Sequence, residues 1–203
     1  MHRRALLALL DRYQVRFPQD RDRAETIRRF VEGHDDCFER SCRDGHVTGS
    51  AWIASPDGEQ VLLILHRKLG AWLQPGGHAD GDPDPAAVAC REAQEESGLE
   101  SLRLVDWWRD GSTSPQPFDV DVHRIPARGE DPEHLHLDIR FLLVADPAEP
   151  PRASHESDQA RWVARAEIGA LSREPSLLRM AERAASLLAG GCYIAGSSRS
   201  PSR

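Results

Sequence analysis

The chain has 203 residues, of which 39% are hydrophobic, and a formal net charge of −7 at pH 7. This length suffices for one domain with a modest extension, and the acidic balance disfavours a nucleic-acid polymer as partner, because phosphate neutralisation requires a basic face. The four cysteines fit no paired metal-ligand spacing, and no early apolar run resembles a membrane span or a signal peptide. We therefore expect a cytoplasmic protein with no membrane partner.

The first 45 residues are predicted to form a helical extension. Apolar residues recur at helical spacing from Leu6 to Tyr13, and Pro18 ends this segment. A second helix is predicted from about Arg21 to Gly33. Two short helices bury little apolar surface alone, so we expect them to pack on the following domain. The sequence leaves open whether they shape a pocket, cover a sheet or mediate a homodimer.

The main domain, 46–190, combines predicted strands and helices. The strand-like runs "VTGSAWIAS" and "VLLILHRK" flank the turn "PDGE", and the loop "LGAWLQPGGHADGDPDP" leads to a helix over about 86–97. Further strands are predicted near 102–109, 119–125, 136–145 and 160–164, followed by closing helices. Strands with helices on separate faces predict an α/β or α+β sandwich. The last residues, "GSSRSPSR", are polar and small, and residues 191–203 are therefore predicted to form a disordered tail.

An acidic cluster lies on the helix predicted over 86–97. At about 100° per residue, Glu92, Glu95 and Glu96 share an arc of about 100°, beside a small apolar face. Such a cluster is usually a solvated face, with Arg91 and Glu95 paired as i, i+4 neighbours. The upstream "PGGH" favours a metal site instead, because paired glycines let backbone approach a bound group closely. Convergent carboxylates are hard oxygen ligands suited to Mg²⁺ or Mn²⁺.

These residues resemble the Nudix box, G-x5-E-x7-R-E-U-x-E-E-x-G-U. The matching positions are Gly77, Arg91, Glu92, Glu95, Glu96, Gly98 and Leu99. Two positions depart from the pattern, since Pro83 replaces the first glutamate and Ala93 occupies the aliphatic position. Either Asp82 supplies the missing acid one residue early, or Asp84 caps the helix ahead of Pro85.

The resemblance implies a Nudix-like α/β/α sandwich with a mixed sheet, and a metal-dependent hydrolase. Such an enzyme cleaves a diphosphate bond in a nucleoside diphosphate linked to another moiety, or in a similar small phosphorylated metabolite. The implied cofactor is Mg²⁺, with Mn²⁺ as the alternative, and its implied ligands are Glu92, Glu95, Glu96 and the carbonyl of Gly76. Arg91 and Glu95 are the implied catalytic residues within the box. A diphosphate isomerase and a catalytically silent nucleotide sensor are the alternatives on this fold.

Further candidates lie outside the acidic cluster. Arg67 ends a predicted strand near the glycine loop, where it either binds a phosphate through a bidentate fork or is a solvated strand end. The alternation in "HLHLDIRF" predicts a half-buried strand, whose polar residues line the substrate pocket if they face the box helix. A zinc site at this His-x-His pair with Asp138 is a less favoured alternative. The predicted substrate contacts are Arg67, Gly77, His78, His136 and Arg140.

The segment "PPRASHESDQARWV" is the candidate source of a group that activates the attacking water. Its proline, small and polar residues predict a loop that leads into a strand at about Arg161. Glu156 and Asp158 are its acids, and we favour Glu156 as the catalytic base because similar acidic loops serve Nudix enzymes. His155 is the alternative, since an imidazole titrates near neutrality.

Overall fold

The structure is a computed structural model that describes residues 2–108, 115–129, 132–190 and 193–194. Its helices are α1 (Arg4–Arg16), α2 (Arg21–Gly33), α3 (Pro85–Ser97), α4 (Ile168–Leu171) and α5 (Pro175–Ala189). Its strands are β1 (Gly45–Ala54), β2 (Gln60–His66), β3 (Ala71–Leu73), β4 (Gly76–His78), β5 (Arg103–Asp106), β6 (Asp119–Ile125), β7 (His134–Val144), β8 (Ser157–Ala164) and β9 (Tyr193–Ile194). None of the helices in these ranges is long and apolar enough to cross a membrane.

Two long parallel strands form the centre of a mixed sheet. β1 pairs with β7 over its whole length, from Gly45 opposite Leu135 to Ala54 opposite Val144. The first half of β1 pairs with β4, and its end pairs with β2, both antiparallel. β2 also pairs with β3 and β8, β7 with β5 and β6, and β5 with β9. The start of β1 therefore lies between β4 and β7, which positions the sites described below.

The sheet separates α3 from α5. A Cβ added at Gly49 of β1 would lie 2.7 Å from the carbonyl oxygen of Pro85, so this face of the sheet packs directly on α3. Residues of alternate parity point to the opposite face. There Arg179 of α5 donates two hydrogen bonds, both of 2.9 Å, to Asp119 of β6. Helices cover both faces, which confirms the predicted α/β/α sandwich with a mixed sheet.

The N-terminal helices pack on the face that α5 covers. Leu6, Leu10 and Tyr13 are fully buried in the common core. Arg183 of α5 donates a hydrogen bond of 2.8 Å to the Tyr13 hydroxyl and forms an ion pair of 2.8 Å with Asp20. The two helices therefore pack on the main domain, as expected, and cover part of this face of the sheet.

Several predicted boundaries need correction. The segment predicted as one loop before α3 contains β3 and β4, because tertiary pairing with β2 and β1 holds short pieces that have no strand pattern of their own. β8 begins at Ser157 rather than near 160, since its pairing with β2 extends to that residue. The end of the strand predicted over 102–109 and most of the predicted tail lie outside the described residues, although Tyr193–Ile194 pairs with β5.

Candidate functional site

Both ends of α3 are fixed by local hydrogen bonds. Asp84 caps the N-terminus, where its Oδ1 accepts hydrogen bonds from the main-chain N–H groups of Ala86 and Ala87 at 3.0 and 3.3 Å. At the other end Gly98 adopts a left-handed φ of 65°, and its N–H donates to the carbonyl of Gln94 at 2.8 Å. These caps agree with the alternative in which Asp84 caps the helix.

The glycine strand β4 lies directly on the carboxylates of α3. The N–H of Gly76 donates to Oε2 of Glu96 at 2.9 Å. A Cβ added at Gly77 would collide with the carboxylate of Glu92, so a side chain at this position would displace it. Glu96 is buried, Glu92 is half-buried and Glu95 is exposed. Solvent exposure therefore increases from Glu96 through Glu92 to Glu95.

Arg91 joins α3 to β4. Its Nη2 donates to the carbonyl of His78 at 2.9 Å and to Oε1 of Glu92 at 3.1 Å. The expected i, i+4 pair with Glu95 is therefore wrong, because the Arg91 side chain reaches along β4 rather than along its own helix. Arg91 positions Glu92 and the glycine strand relative to each other.

Burial leaves negative charge on these carboxylates poorly solvated. Burial, the largest cause, and the nearby charges of Glu92, Glu156 and Glu95 together raise the pKa of Glu96 to about 7, against the lowering effect of the Gly76 N–H. Burial also raises the pKa of Glu92, against the lowering effect of Arg91. Oxygen donors that converge and repel one another fit a hard divalent cation, which supplies the missing positive charge.

A second segment brings Glu156 to the same place. The charge of Glu156 contributes to the raised pKa of both Glu92 and Glu96. Arg67 fastens this segment, because its Nε donates to Oδ1 of Asp158 at 2.7 Å and its Nη1 to the carbonyl of His155 at 2.7 Å. The fork of Arg67 is thus occupied by the protein, where a phosphate contact was expected.

His155 and Asp158 occupy different positions around Glu156. The His155 side chain is 90% exposed, and its Nε2 lies 3.6 Å from Oε1 of Glu156. Asp158 lies within β8, where it was expected in a loop, and is held by Arg67. Of the two acids in this segment, Glu156 is the one whose charge acts on both glutamates of the box.

A family comparison agrees with this arrangement. A model described as the NUDIX domain matches residues 45–187, which is more than half of the chain. The chain belongs to the Nudix family. The matched range begins at the first residue of β1 and ends within α5.

Two curated proteins are similar to this Nudix chain. The CMP-5'-(N-acetyl-N-hydroxy-3-aminopropyl)phosphonate hydrolase of Streptomyces rubellomurinus is 30% identical over 130 residues, 62% of this chain and 55% of the relative. The RNA pyrophosphohydrolase of Acidiphilium cryptum is 33% identical over 119 residues, 56% of this chain and 72% of the relative. The chain thus spans little more than half the length of the Streptomyces protein.

Solved structures confirm the fold. A NUDIX-family hydrolase from Clostridium perfringens has a TM-score of 0.55 and 22% identity, and the match covers 71% of this chain and 96% of that one. An Ap4A hydrolase of C. elegans in a binary complex has a TM-score of 0.53 and 18% identity, with coverage of 71% and 98%. At this level of identity the likeness concerns the fold alone.

The polar face of β7 does not line the Nudix helix, which corrects an expectation. Thr48 of β1, next to Gly49 and therefore on the opposite face, donates to Asp138 of β7 at 3.0 Å. Arg140 has the same parity as Asp138, its side chain is 1% exposed, and its Nε donates to Asp138 at 2.7 Å. His136 shares this face. Neither His136 nor Arg140 faces the carboxylates, and Arg140 belongs to a buried ionic network.

Arg40 is a cation of the site that no sequence pattern indicated. It lies in the loop before β1 and donates to both carboxylate oxygens of Asp80, at 2.5 and 3.0 Å. Asp80 raises the pKa of Arg40 through this contact, and the charges of Glu156 and Glu92 raise it further. Arg40 therefore lies close enough to Glu156 and Glu92 for their charges to act on it.

Proposed function

We propose that this protein is a metal-dependent Nudix pyrophosphohydrolase that cleaves a diphosphate bond in a nucleotide derivative or a similar small phosphorylated molecule. The observation that carries the proposal is the packing of Glu92 and Glu96 against the glycine strand β4, where Gly76 donates to Glu96 at 2.9 Å and burial raises the pKa of both glutamates. The names of the two curated relatives, a hydrolase and a pyrophosphohydrolase, support this reaction class.

The proposed cofactor is Mg²⁺, with Mn²⁺ as the alternative. Glu92 and Glu96 are its main proposed ligands, with Glu95 and the carbonyl of Gly76 completing the set. Carboxylate and carbonyl oxygens are the donors that both ions prefer. When bound, the ion neutralises diphosphate oxygens and acidifies a coordinated water.

The remaining residues have distinct proposed roles. Glu156 accepts the proton of the attacking water, because its carboxylate faces the box from a separate segment that Arg67 holds in place. Arg91 keeps Glu92 against β4, whose Gly77 is proposed to border the substrate. The His78 ring lies on the opposite face of the sheet, against His46, so the predicted substrate contact of this side chain is wrong. The guanidinium groups of Arg40 and Arg67 are both occupied by protein partners, Asp80 and the segment of Asp158, so neither is assigned a phosphate contact.

The substrate class follows from the relatives only in outline. The names of the two relatives include a CMP derivative and RNA, so a nucleotide is the chemical group that they share. The exclusion of nucleic acid that net charge suggested gains no support from these names. An RNA with a 5′-triphosphate therefore belongs among the substrates to be tested.

The test is a substrate panel assayed for phosphate and pyrophosphate release with Mg²⁺. The panel contains nucleotide sugars, nucleoside triphosphates, CMP-phosphonates and 5′-triphosphate RNA. We expect hydrolysis of at least one compound, with a loss of roughly a hundredfold or more in Glu92→Gln and Glu96→Gln, because the ion supports several kcal/mol of charge stabilisation. Glu100→Gln, an exposed change just beyond α3, is the matched control and should retain activity.

Three outcomes would contradict the proposal. A rearranged diphosphate without release of any phosphate-bearing fragment would identify an isomerase. Binding of nucleotides with no turnover of any compound would identify a sensor. Near-normal hydrolysis in both glutamine variants would place the metal elsewhere.

A further inference from the structure

Four histidines meet on the face of the sheet opposite the Nudix helix. His46 lies in β1, His78 in β4, and His134 and His136 at the start of β7. The ring centroid of His46 lies 4.9 Å from that of His78, 5.1 Å from that of His134 and 4.8 Å from that of His136. The strand pairing itself creates this cluster, because His46 lies directly opposite His136 in the parallel register.

Three buried ring nitrogens of this cluster have no hydrogen-bond partner of normal geometry among the described residues. His46 is 4% exposed, and neither of its ring nitrogens forms a hydrogen bond of normal geometry with the described residues, although the main chain of Cys42 lies close to the ring. Nε2 of His136 is also buried without a partner in this part of the chain. Buried polar atoms without partners carry a free-energy cost, and native proteins rarely retain them unless a water or an ion satisfies them. Several such atoms within one cluster indicate a bound ligand.

We propose that His46, His134 and His136 bind a zinc ion or a similar first-row transition metal. Ligand nitrogens of the three residues all lie within 4.8 Å of one another. A tetrahedral zinc with bonds of about 2.0–2.1 Å needs nitrogens roughly 3.4 Å apart, so small side-chain rotations close the site. His78 is the next imidazole, 4.9 Å from His136 between ring centroids, and is placed to complete the set.

The surroundings orient the rings for this role. Nδ1 of His134 lies 2.9 Å from the carbonyl of Pro132, and donation to that carbonyl leaves the Nε2 lone pair for a metal. The ligands stand on paired strands, which hold them more rigidly than loops do. Imidazoles prefer zinc, whereas the carboxylates of the Nudix box prefer magnesium, so the two sites select different ions.

The proposed zinc site and the Nudix box lie on opposite faces of the same short strand. In β4, the N–H of Gly76 binds Glu96 and the carbonyl of His78 binds Arg91, while the His78 ring contacts the histidines. Zinc binding should therefore stabilise the pairing of β1, β4 and β7. This consequence is independent of hydrolysis and is measured without substrate.

The test is zinc binding to tag-free protein in excess Mg²⁺, followed by competition with a chromogenic chelator and by thermal melting. We expect one zinc ion per chain, a higher melting temperature with zinc, and a cobalt derivative with the strong visible absorption of tetrahedral coordination. His46→Gln and His134→Gln should each weaken zinc binding by at least tenfold. Removal of a hydrogen bond that only supports a metal ligand already costs about tenfold to a hundredfold in affinity, and removal of the ligand itself should cost no less. His66→Gln, a half-buried histidine at the end of β2, is the matched control and should bind normally.

Clear results would overturn the proposal. Unchanged zinc affinity in both variants would show that the histidines are not ligands, and buried water would then account for their nitrogens. Loss of zinc binding in a Glu92→Gln/Glu96→Gln variant would place the ion in the Nudix box. If His46→Gln fails to fold, His134→Gln decides the question, because its side chain is partly exposed and its removal leaves the core intact.

Discussion

Glu96 illustrates how position changes the chemistry of a carboxyl group. Its side chain is 5% exposed, it accepts one hydrogen bond from Gly76, and it faces Glu92 and Glu156. One N–H group compensates only part of the solvation that burial removes. A proton or a cation must supply the rest, so Glu96 couples metal binding to pH.

The first prediction concerns the pH dependence of stability in the metal-free protein. Because folding raises the pKa of Glu96 from 4.5 to about 7, the folded state holds the proton more tightly, and stability falls as pH rises through this range. Glu96→Gln removes this loss and still accepts from Gly76. Denaturant unfolding in EDTA should therefore show that the free energy of unfolding of the variant rises relative to that of the wild type between these pH values, by at most about 3 kcal/mol.

Magnesium provides the control for this prediction. In excess Mg²⁺ the wild type should regain the advantage at high pH, because the ion replaces the proton on Glu96. A stability difference that is constant across pH, or that magnesium leaves unchanged, would show that Glu96 keeps an ordinary carboxyl environment.

The second prediction concerns the proposed base. Glu156→Gln should lower kcat at saturating Mg²⁺ by roughly a hundredfold to ten-thousandfold with little change in KM, as expected for a group that transfers a proton in the transition state. His155→Ala is the matched control, since it changes the adjacent, 90% exposed side chain. The measurement is kcat and KM across pH. Loss of activity in His155→Ala together with normal turnover in Glu156→Gln would assign the base to the histidine.

At the scale of elements, a buried ionic network joins β6, β7 and α5. Arg140 donates to Asp138 at 2.7 Å and to Asp119 at 2.9 Å. Arg179 and Arg183 of α5 bind Asp119 from the other side. Positive and negative charges alternate through the network, so each buried carboxylate is compensated by a guanidinium. The network fastens α5, and through it the N-terminal helices, to the sheet.

The third prediction tests this network. Arg140→Met should destabilise the protein by about 3–5 kcal/mol at neutral pH, because it leaves buried carboxylates without a partner. The loss should shrink at acidic pH as those carboxylates take up protons. Arg124→Met, at the exposed pair with Glu133, is the control and should cost less than about 1 kcal/mol. Denaturant unfolding of both variants at two pH values measures the effect. Equal losses would show that burial does not increase the cost of removing the Arg140 charge.

At the scale of the whole molecule, the Nudix box is assembled from separated parts of the chain. α3 supplies the glutamates, β4 the glycines, and the segment before β8 supplies Glu156, while Arg67 ties that segment to β2. A cation bound among these parts would add a further link between them. Its binding should therefore act on the global unfolding equilibrium.

The fourth prediction is that Mg²⁺ raises the melting temperature of the wild type. An ion that binds only the folded state adds about 2.7 kcal/mol at a concentration of one hundred times Kd. Glu92→Gln/Glu96→Gln should lose this increase, with potassium chloride at equal ionic strength as the control for screening. An equal increase in both proteins, measured by differential scanning calorimetry, would place the ion away from the box.

The sequence by itself determined the features that depend on local spacing. Glu92, Glu95 and Glu96 fall on one side of α3 because helical geometry fixes the angle between residues a few positions apart. Asp84, Pro85 and Gly98 bound that helix through contacts with their own neighbours. The box spacing was therefore enough to indicate the family.

Only the tertiary structure decided which residues of different strands share a face. The alternation in β7 predicted a polar face but not its direction, because register with β1 sets it and a shift by one residue reverses every side chain. Arg140 is therefore buried beneath α5, away from Nudix box residues, and His46 and His78 join His136 across strands that lie far apart in sequence. Arg40 reaches the cleft from a loop without any periodic pattern. Contacts between distant segments depend on chain topology, which local spacing does not encode.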